Sequence, residues 1–177
     1  MEFSLSPDLL ALCARVRHFL DEHVLPLERD PSSFNEYENI KLTLRDDIRR
    51  KAREAGLWAP QMPQTRGGLG LDMVGQAAFY EEASRSIFGP SIFNCAAPDD
   101  GNMRLLEQVA RDDQKERWLQ PIIDGKVNSS FAMTEPHPGG GSDPGMIQTK
   151  AVRDGDRWFV TGQNGSFRGR MSRSILS

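Results

Sequence analysis

The sequence predicts a mainly α fold with a short β portion, and three observations carry that prediction. Apolar residues recur at helical spacing as far as about residue 124. Helix start and stop signals punctuate the same stretch. After Gly125 the pattern changes to extended runs parted by a segment rich in proline and glycine. The expected partition is a helical domain over 1–124, a short β domain over 125–163 and a divergent tail over 164–177.

Ser6-Pro7-Asp8 opens the first helix: a serine N-cap, proline in the first turn, and an acid facing the positive end of the helix dipole. Leu9, Leu12, Cys13, Val16, Phe19, Leu20 and Val24 form its apolar stripe, and Pro26 is expected to stop it. Residues 27–39 read as a loop. A second helix is expected from Lys41 to Ala55, with Gly56 past its C-terminus. The segment from Leu57 to Leu71 reads as a loop, and Asp72 can cap a third helix. Met73, Ala77, Tyr80 and Ala83 are expected on the buried side of that helix, and Gly89-Pro90 is expected to break it. Two further helices follow, about Met103 to Ala110 and Gln114 to Ile123, the second with Trp118, Leu119 and Ile122 as its apolar face.

Beyond Gly125, Asn128 to Thr134 reads as a strand and Pro136 to Gly145 as a loop. Gln148 to Arg153 and Arg157 to Thr161 flank Asp154-Gly155, a dipeptide suited to a tight hairpin. Three strands neither close a barrel nor cover both faces of a sheet, so the chain is expected to be incomplete and its edges to be an aggregation hazard.

Composition narrows the function classes. The chain has 177 residues, 38% of them hydrophobic and 27% charged, and a formal net charge of −3, which argues against a nucleic-acid binder. Its apolar runs fall far short of the roughly 20 residues a membrane span needs, so no span is expected. The N-terminus lacks a secretory pattern. Cys13 and Cys95 form neither a disulfide framework nor a CxxC pair, which points to a reducing compartment, and His18, His23 and His137 lack metal-ligand spacing.

Most candidate motifs have plain structural readings. Gly67-Gly68-Leu69-Gly70 lacks the preceding strand and the spacing of a dinucleotide loop and reads as a packed turn. Arg45, Arg49, Arg50, Lys51 and Arg53 alternate with Asp46, Asp47 and Glu54 and read as a solvated helix face. Glu81 and Glu82 diverge on their helix and make no cooperating pair. The segment from Phe131 to Pro144 is different. A run ending in Thr134 enters a glycine-rich loop, and such a backbone can approach a flat polar ligand or an anion closely. A flexible connector accounts equally well for its composition.

Phe131-Ala132-Met133-Thr134-Glu135-Pro136, continuing to Ser142-Asp143 and Gln148-Thr149-Lys150-Ala151, resembles the flavin-facing signature of the acyl-CoA dehydrogenase family. Gln114 to Gly125 resembles the stretch that precedes this signature, and Pro63 to Gly70 the family's N-terminal domain loop. Asn94 to Met103 is similar to a branch related to long- and branched-chain enzymes. The resemblance implies an N-terminal helical bundle followed by the first strands of an incomplete β-barrel domain, with the second helical domain missing. It implies FAD as cofactor, α,β-dehydrogenation of a fatty acyl-CoA, electron-transfer flavoprotein as partner, and a homo-oligomer in the intact form. Phe131, Met133 and Thr134 would border the flavin ring, and Ser142 would meet both flavin and acyl-CoA. Glu135 would have a structural role. The proton-abstracting glutamate would lie in the missing C-terminal domain, so no residue here is assigned as catalytic and the isolated chain is expected to be inactive. The implied location is the cytoplasm, or the mitochondrial matrix in a eukaryote. The alternatives are a non-catalytic binding or assembly module and an inactive truncated product.

The resemblance stops at Gln163. The family continues with a Lys-Trp-Phe-Ile-Ser-Gly type segment, where this chain has Asn164-Gly165-Ser166-Phe167-Arg168-Gly169. The codons AAA TGG TTC ATT TCG GGG GC encode the former and begin an alanine codon, and losing one A gives AAT GGT TCA TTT CGG GGG C, which encodes the latter. A one-nucleotide frameshift after Gln163 is therefore expected, and sequencing the gene across that codon tests it.

Overall fold

A computed structural model describes residues 4–141 and 143–164. The chain divides into two compact units between Val127 and Asn128.

The first unit is helical. α1 (Pro7–His23) starts where the Ser6 hydroxyl accepts the Leu9 N–H, and it buries Cys13, Val16, Phe19 and Leu20. Pro26 does not end the helical path, as the sequence suggested. The break comes at Val24, and Pro26 sits in the first turn of α2 (Leu25–Glu28), where its missing N–H costs nothing. α3 (Leu42–Glu54) is followed by Gly56 in the left-handed region, φ +65°. On its outer side Arg50 pairs with Asp47 at 2.7 Å and with Glu54 at 2.9 Å. Arg49 departs from that solvated face. It is 6% exposed, and its Nε donates to the Ser91 carbonyl at 2.9 Å.

The stretch after α3 is irregular, with Leu57 to Met62 buried, and its peptide groups are paired within the turn and with Phe93. Ala59 N–H donates to Phe93 O, Leu71 N–H to Pro60 O and Gly70 N–H to Met62 O. A Cβ on Gly68 would stand 2.2 Å from the Met62 carbonyl oxygen, so this position accepts only glycine.

α4 (Met73–Ala83) is capped by Asp72, whose carboxylate accepts Gly75 N–H at 2.8 Å. Its buried face is Gly75, Gln76, Ala78, Phe79 and Ala83, whereas Met73 and Ala77 are exposed. The stripe is thus turned from the expected one, because α4 packs on α1 through Phe79. Gly89-Pro90 does not break α4, which has already ended at Ala83. That pair opens α5 (Gly89–Ile92).

α6 (Asp99–Val109) precedes α7 (Asp112–Gln114), which passes through a π-helical turn (Lys115–Leu119) into α8 (Gln120–Ile123). Pro121 has no N–H to offer, and Gln120 N–H bonds five residues back to Lys115 O. Leu119, Ile122 and Ile123 are buried here, while Trp118 is 40% exposed and leaves the expected face.

Two clusters fill the helical unit. One joins Val16, Leu20, Ile48, Phe79, Ile92 and Phe93, with the Phe93 ring 5.5 Å from Phe19 and 5.3 Å from Phe79. The other joins Trp58, Met62, Met103, Leu119, Ile122 and Ile123. Asn94, buried and with φ +57°, donates to the carbonyls of Ile122 and Ile123, and its own carbonyl accepts from Gln61 Nε2 at 2.9 Å.

In the second unit, β1 (Lys150–Asp154) and β2 (Arg157–Thr161) form an antiparallel hairpin in which Asp154 faces Arg157. The two-residue loop is Gly155-Asp156, one place later than expected, with Gly155 at φ +57° as the primed turns require. Asn128 to Thr134 is not a strand. It lies outside the sheet, and only the next residue, Glu135, forms an isolated bridge, to Gly141. Every residue of the hairpin is exposed.

The fold of the described residues is thus mainly helical with a short β portion, as the sequence predicts, but that portion holds two paired strands rather than three.

Candidate functional site

The resemblance directs attention to 131–149, all within the second unit. Phe131 is 62% exposed, Thr134 is exposed and Met133 is half-buried. Ser142 lies outside the described residues. The tail over 165–177 also lies outside them.

Glu135 organises this segment. It is 4% exposed, and its carboxylate accepts Gln148 N–H at 2.6 Å, Thr149 N–H at 2.9 Å and the Thr149 hydroxyl. The Thr149 hydroxyl and the Gln148 N–H hold its carboxyl below the usual glutamate value. Its backbone carbonyl accepts Gly141 N–H, and Gly139 N–H donates to Pro136 O at 2.7 Å, which closes the turn.

The glycines are required at particular places. A Cβ on Gly139 would meet the Glu135 Cβ at 2.5 Å, and one on Gly140 would meet the Asp143 carbonyl oxygen at 2.0 Å. Gly141, at φ +53°, has open space beside it. Asp143 then starts a short 3-10 turn (Pro144–Met146) by accepting Gly145 N–H at 2.8 Å.

The hairpin is tied back to the same segment. Asn164 Nδ2 donates to Ala132 O at 3.2 Å, and Gly162 packs so closely on Thr149 that a Cβ would stand 2.0 Å from its hydroxyl oxygen. Sequence reasoning placed Thr149 in the family signature and Asn164 at the start of the tail, but gave neither of them, nor Gly162, a role in holding this segment. The available signal was Glu135 itself: a carboxylate among prolines and glycines, with unpaired amides as its natural partners.

Chemically, the segment offers an exposed aromatic ring, an exposed hydroxyl and a glycine backbone held in one shape. These suit one face of a flat polar ligand.

A concavity of about 350 Å³ lies in the helical unit between Arg53, Trp58, Arg66, Gly67 and Asp124. Its cations are already engaged. Arg66 pairs with Glu107 at 2.8 Å and Glu116 at 3.2 Å, while Arg53 stacks 3.9 Å over Trp58 and donates to Asp124 O. Among the described residues no group of three or more His, Cys, Asp or Glu side chains converges, and no helix is long and apolar enough to cross a membrane.

Comparison with known proteins gives consistent matches. A family model described as the N-terminal domain of acyl-CoA dehydrogenases matches residues 6–126. Acyl-CoA dehydrogenase family member 11 of Homo sapiens is 35% identical over 155 residues, covering 84% of this chain and 19% of that protein. A solved structure from Mycobacterium abscessus, assigned as an acyl-CoA dehydrogenase, is 36% identical with a TM-score of 0.77, covering 90% of this chain and 42% of that one. A glutaryl-CoA dehydrogenase from Mycobacterium smegmatis in complex with FADH2 shares the fold at a TM-score of 0.64 and 22% identity, covering 92% of this chain and 39% of that one. The chain therefore spans about a fifth of the human relative and under half of either solved chain.

Proposed function

Because this chain belongs to the acyl-CoA dehydrogenase family, we propose that its second unit contributes one side of an FAD site and that the whole protein dehydrogenates a fatty acyl-CoA between Cα and Cβ. The observation that carries the reading is the exposed Phe131–Thr134 run leading into a glycine loop whose shape Glu135 fixes. These residues fit the group. Phe131 and Met133 offer apolar contact for a planar ring, the Thr134 hydroxyl offers a hydrogen bond to its polar edge, and glycines at 139–141 let backbone approach without a Cβ. Ser142 belongs to the same proposal, toward both flavin and acyl-CoA.

FAD when bound supplies the hydride acceptor. What this chain supplies is binding and orientation. No residue of it takes the role of base in this reading, so the isolated chain should not turn over an acyl-CoA with a dye acceptor. Measured turnover would overturn that assignment. The partition into 1–124, 125–163 and an out-of-frame 164–177 is part of the proposal. So are electron-transfer flavoprotein as partner, a homo-oligomer, and a cytoplasmic or matrix location, for which the two free buried cysteines are the supporting observation.

Titration of the chain with FAD, followed by flavin fluorescence, tests the site. Thr134→Val should weaken binding about fivefold by removing one hydroxyl. A chain that takes up no flavin overturns the reading. The exposed Val152, Trp158, Phe159 and Val160 of the hairpin favour a second reading, a non-catalytic assembly module. Co-purification with a longer homologue, without flavin, would select it.

A further inference from the structure

The glycine loop is held by a carboxylate that the proposed chemistry does not use. Glu135 is almost fully buried in a segment whose other described residues are exposed or half-buried, and its two oxygens reach both amides of the Gln148-Thr149 pair. Gly139 lies directly on its stem. Thr149, the third donor, is in turn packed by Gly162, and Asn164 returns to Ala132, three residues before Glu135. The contacts therefore form a closed circuit with Glu135 at its junction, and Thr134 and the glycine turn are its immediate neighbours on either side.

We propose that Glu135 is the positioning residue of the flavin-facing segment: its carboxylate locks the turn over 136–141 to the 148–149 limb and thereby sets where Thr134 and the glycine backbone meet the ligand. The inference rests on the FAD reading above for the identity of the ligand, but not for the lock itself. The groups facing the carboxylate are neutral: two amides, one hydroxyl and the Gly139 backbone. The charged or titratable side chains nearest along the chain, His137, Asp143 and Lys150, are exposed, and Asp143 accepts from its own turn at Gly145.

The pH dependence has a definite sign. The folded carboxyl titrates below its unfolded value, so the lock is complete above the ordinary glutamate range and is lost as pH falls through the lower, folded value.

The test uses the whole chain and the variant Glu135→Gln, which keeps the size of the side chain but offers the amides only one oxygen. In the wild type, the amide proton shifts of Gln148 and Thr149 should titrate together below the usual glutamate range, and FAD affinity should fall over the same interval. In E135Q neither should titrate. Amide exchange at Gly139, Gly141, Gln148 and Thr149 should quicken about tenfold or more, and FAD should bind about tenfold more weakly. Near-UV circular dichroism of the helical unit should stay unchanged.

Equal exchange in the variant and the wild type overturns the proposal. Faster exchange with unchanged FAD affinity also overturns it, because Glu135 would then be a structural anchor alone. A wild-type chain that takes up no FAD overturns the flavin reading instead, and exchange alone then decides whether Glu135 locks the loop.

Discussion

Trp58 is gripped from two directions. Its indole N–H donates to the Ile123 carbonyl at 2.7 Å, and the Arg53 guanidinium lies 3.9 Å over its ring. Trp58→Phe keeps much of the apolar volume but loses the buried donor. The Ile123 carbonyl retains Asn94 Nδ2 at 3.2 Å, so the cost should be modest, about 1 to 2 kcal/mol in urea denaturation. Gly68→Ala should cost more, about 2 kcal/mol or above, because its methyl would meet backbone oxygens of both Met62 and Ala59, which cannot rotate away. At this scale the sequence was readable where one local rule decides, as with Ser6, Asp72 and Gly56. It was misleading where a distant partner decides. Arg49 alternates with acids like its neighbours, yet burial pushes its guanidinium down to about 10, with Arg45 adding repulsion, and a carbonyl from α5 holds it. Nothing near Arg49 in the sequence announces Ser91.

Elements were more legible in existence than in orientation. α4 forms where its cap predicts, and Asp72→Ala should lower stability by about 1 kcal/mol, read as a lower melting temperature of the helical unit. Its buried face is turned from the expected Met73, Ala77, Tyr80 and Ala83 stripe, because helical spacing fixes the period of a face and not the direction it points. The structure buries Ala83 as expected, together with the small Gly75 and Ala78 beside Phe79, which lets α4 come close to α1. The hairpin was legible because a two-residue glycine turn between β-prone runs needs no distant partner. Asn128 to Thr134 reads as a strand in sequence, but among the described residues it has no neighbouring strand. Extended propensity without a ladder leaves an extended segment, not a sheet.

For the whole molecule, both apolar clusters lie inside the first unit. A polypeptide of residues 1–127 should therefore melt cooperatively with most of the helical circular dichroism of the full chain. A non-cooperative transition would show that its core needs more chain. The change of character near residue 125 was visible as a change of hydrophobic period. What the sequence could not disclose is how Glu135, Thr149 and Asn164 come together, because they are spread over 30 residues and joined by contacts no periodicity records.

The sealed indole at position 58 also makes the protein its own optical probe. Trp118 and Trp158 are 40% and 63% exposed, within reach of a dissolved quencher such as iodide, whereas Trp58 is only 5% exposed. Iodide should darken the two outer residues and leave a blue-shifted emission from the inner one. The loss of that remaining light on heating would report the opening of the helical core without any label.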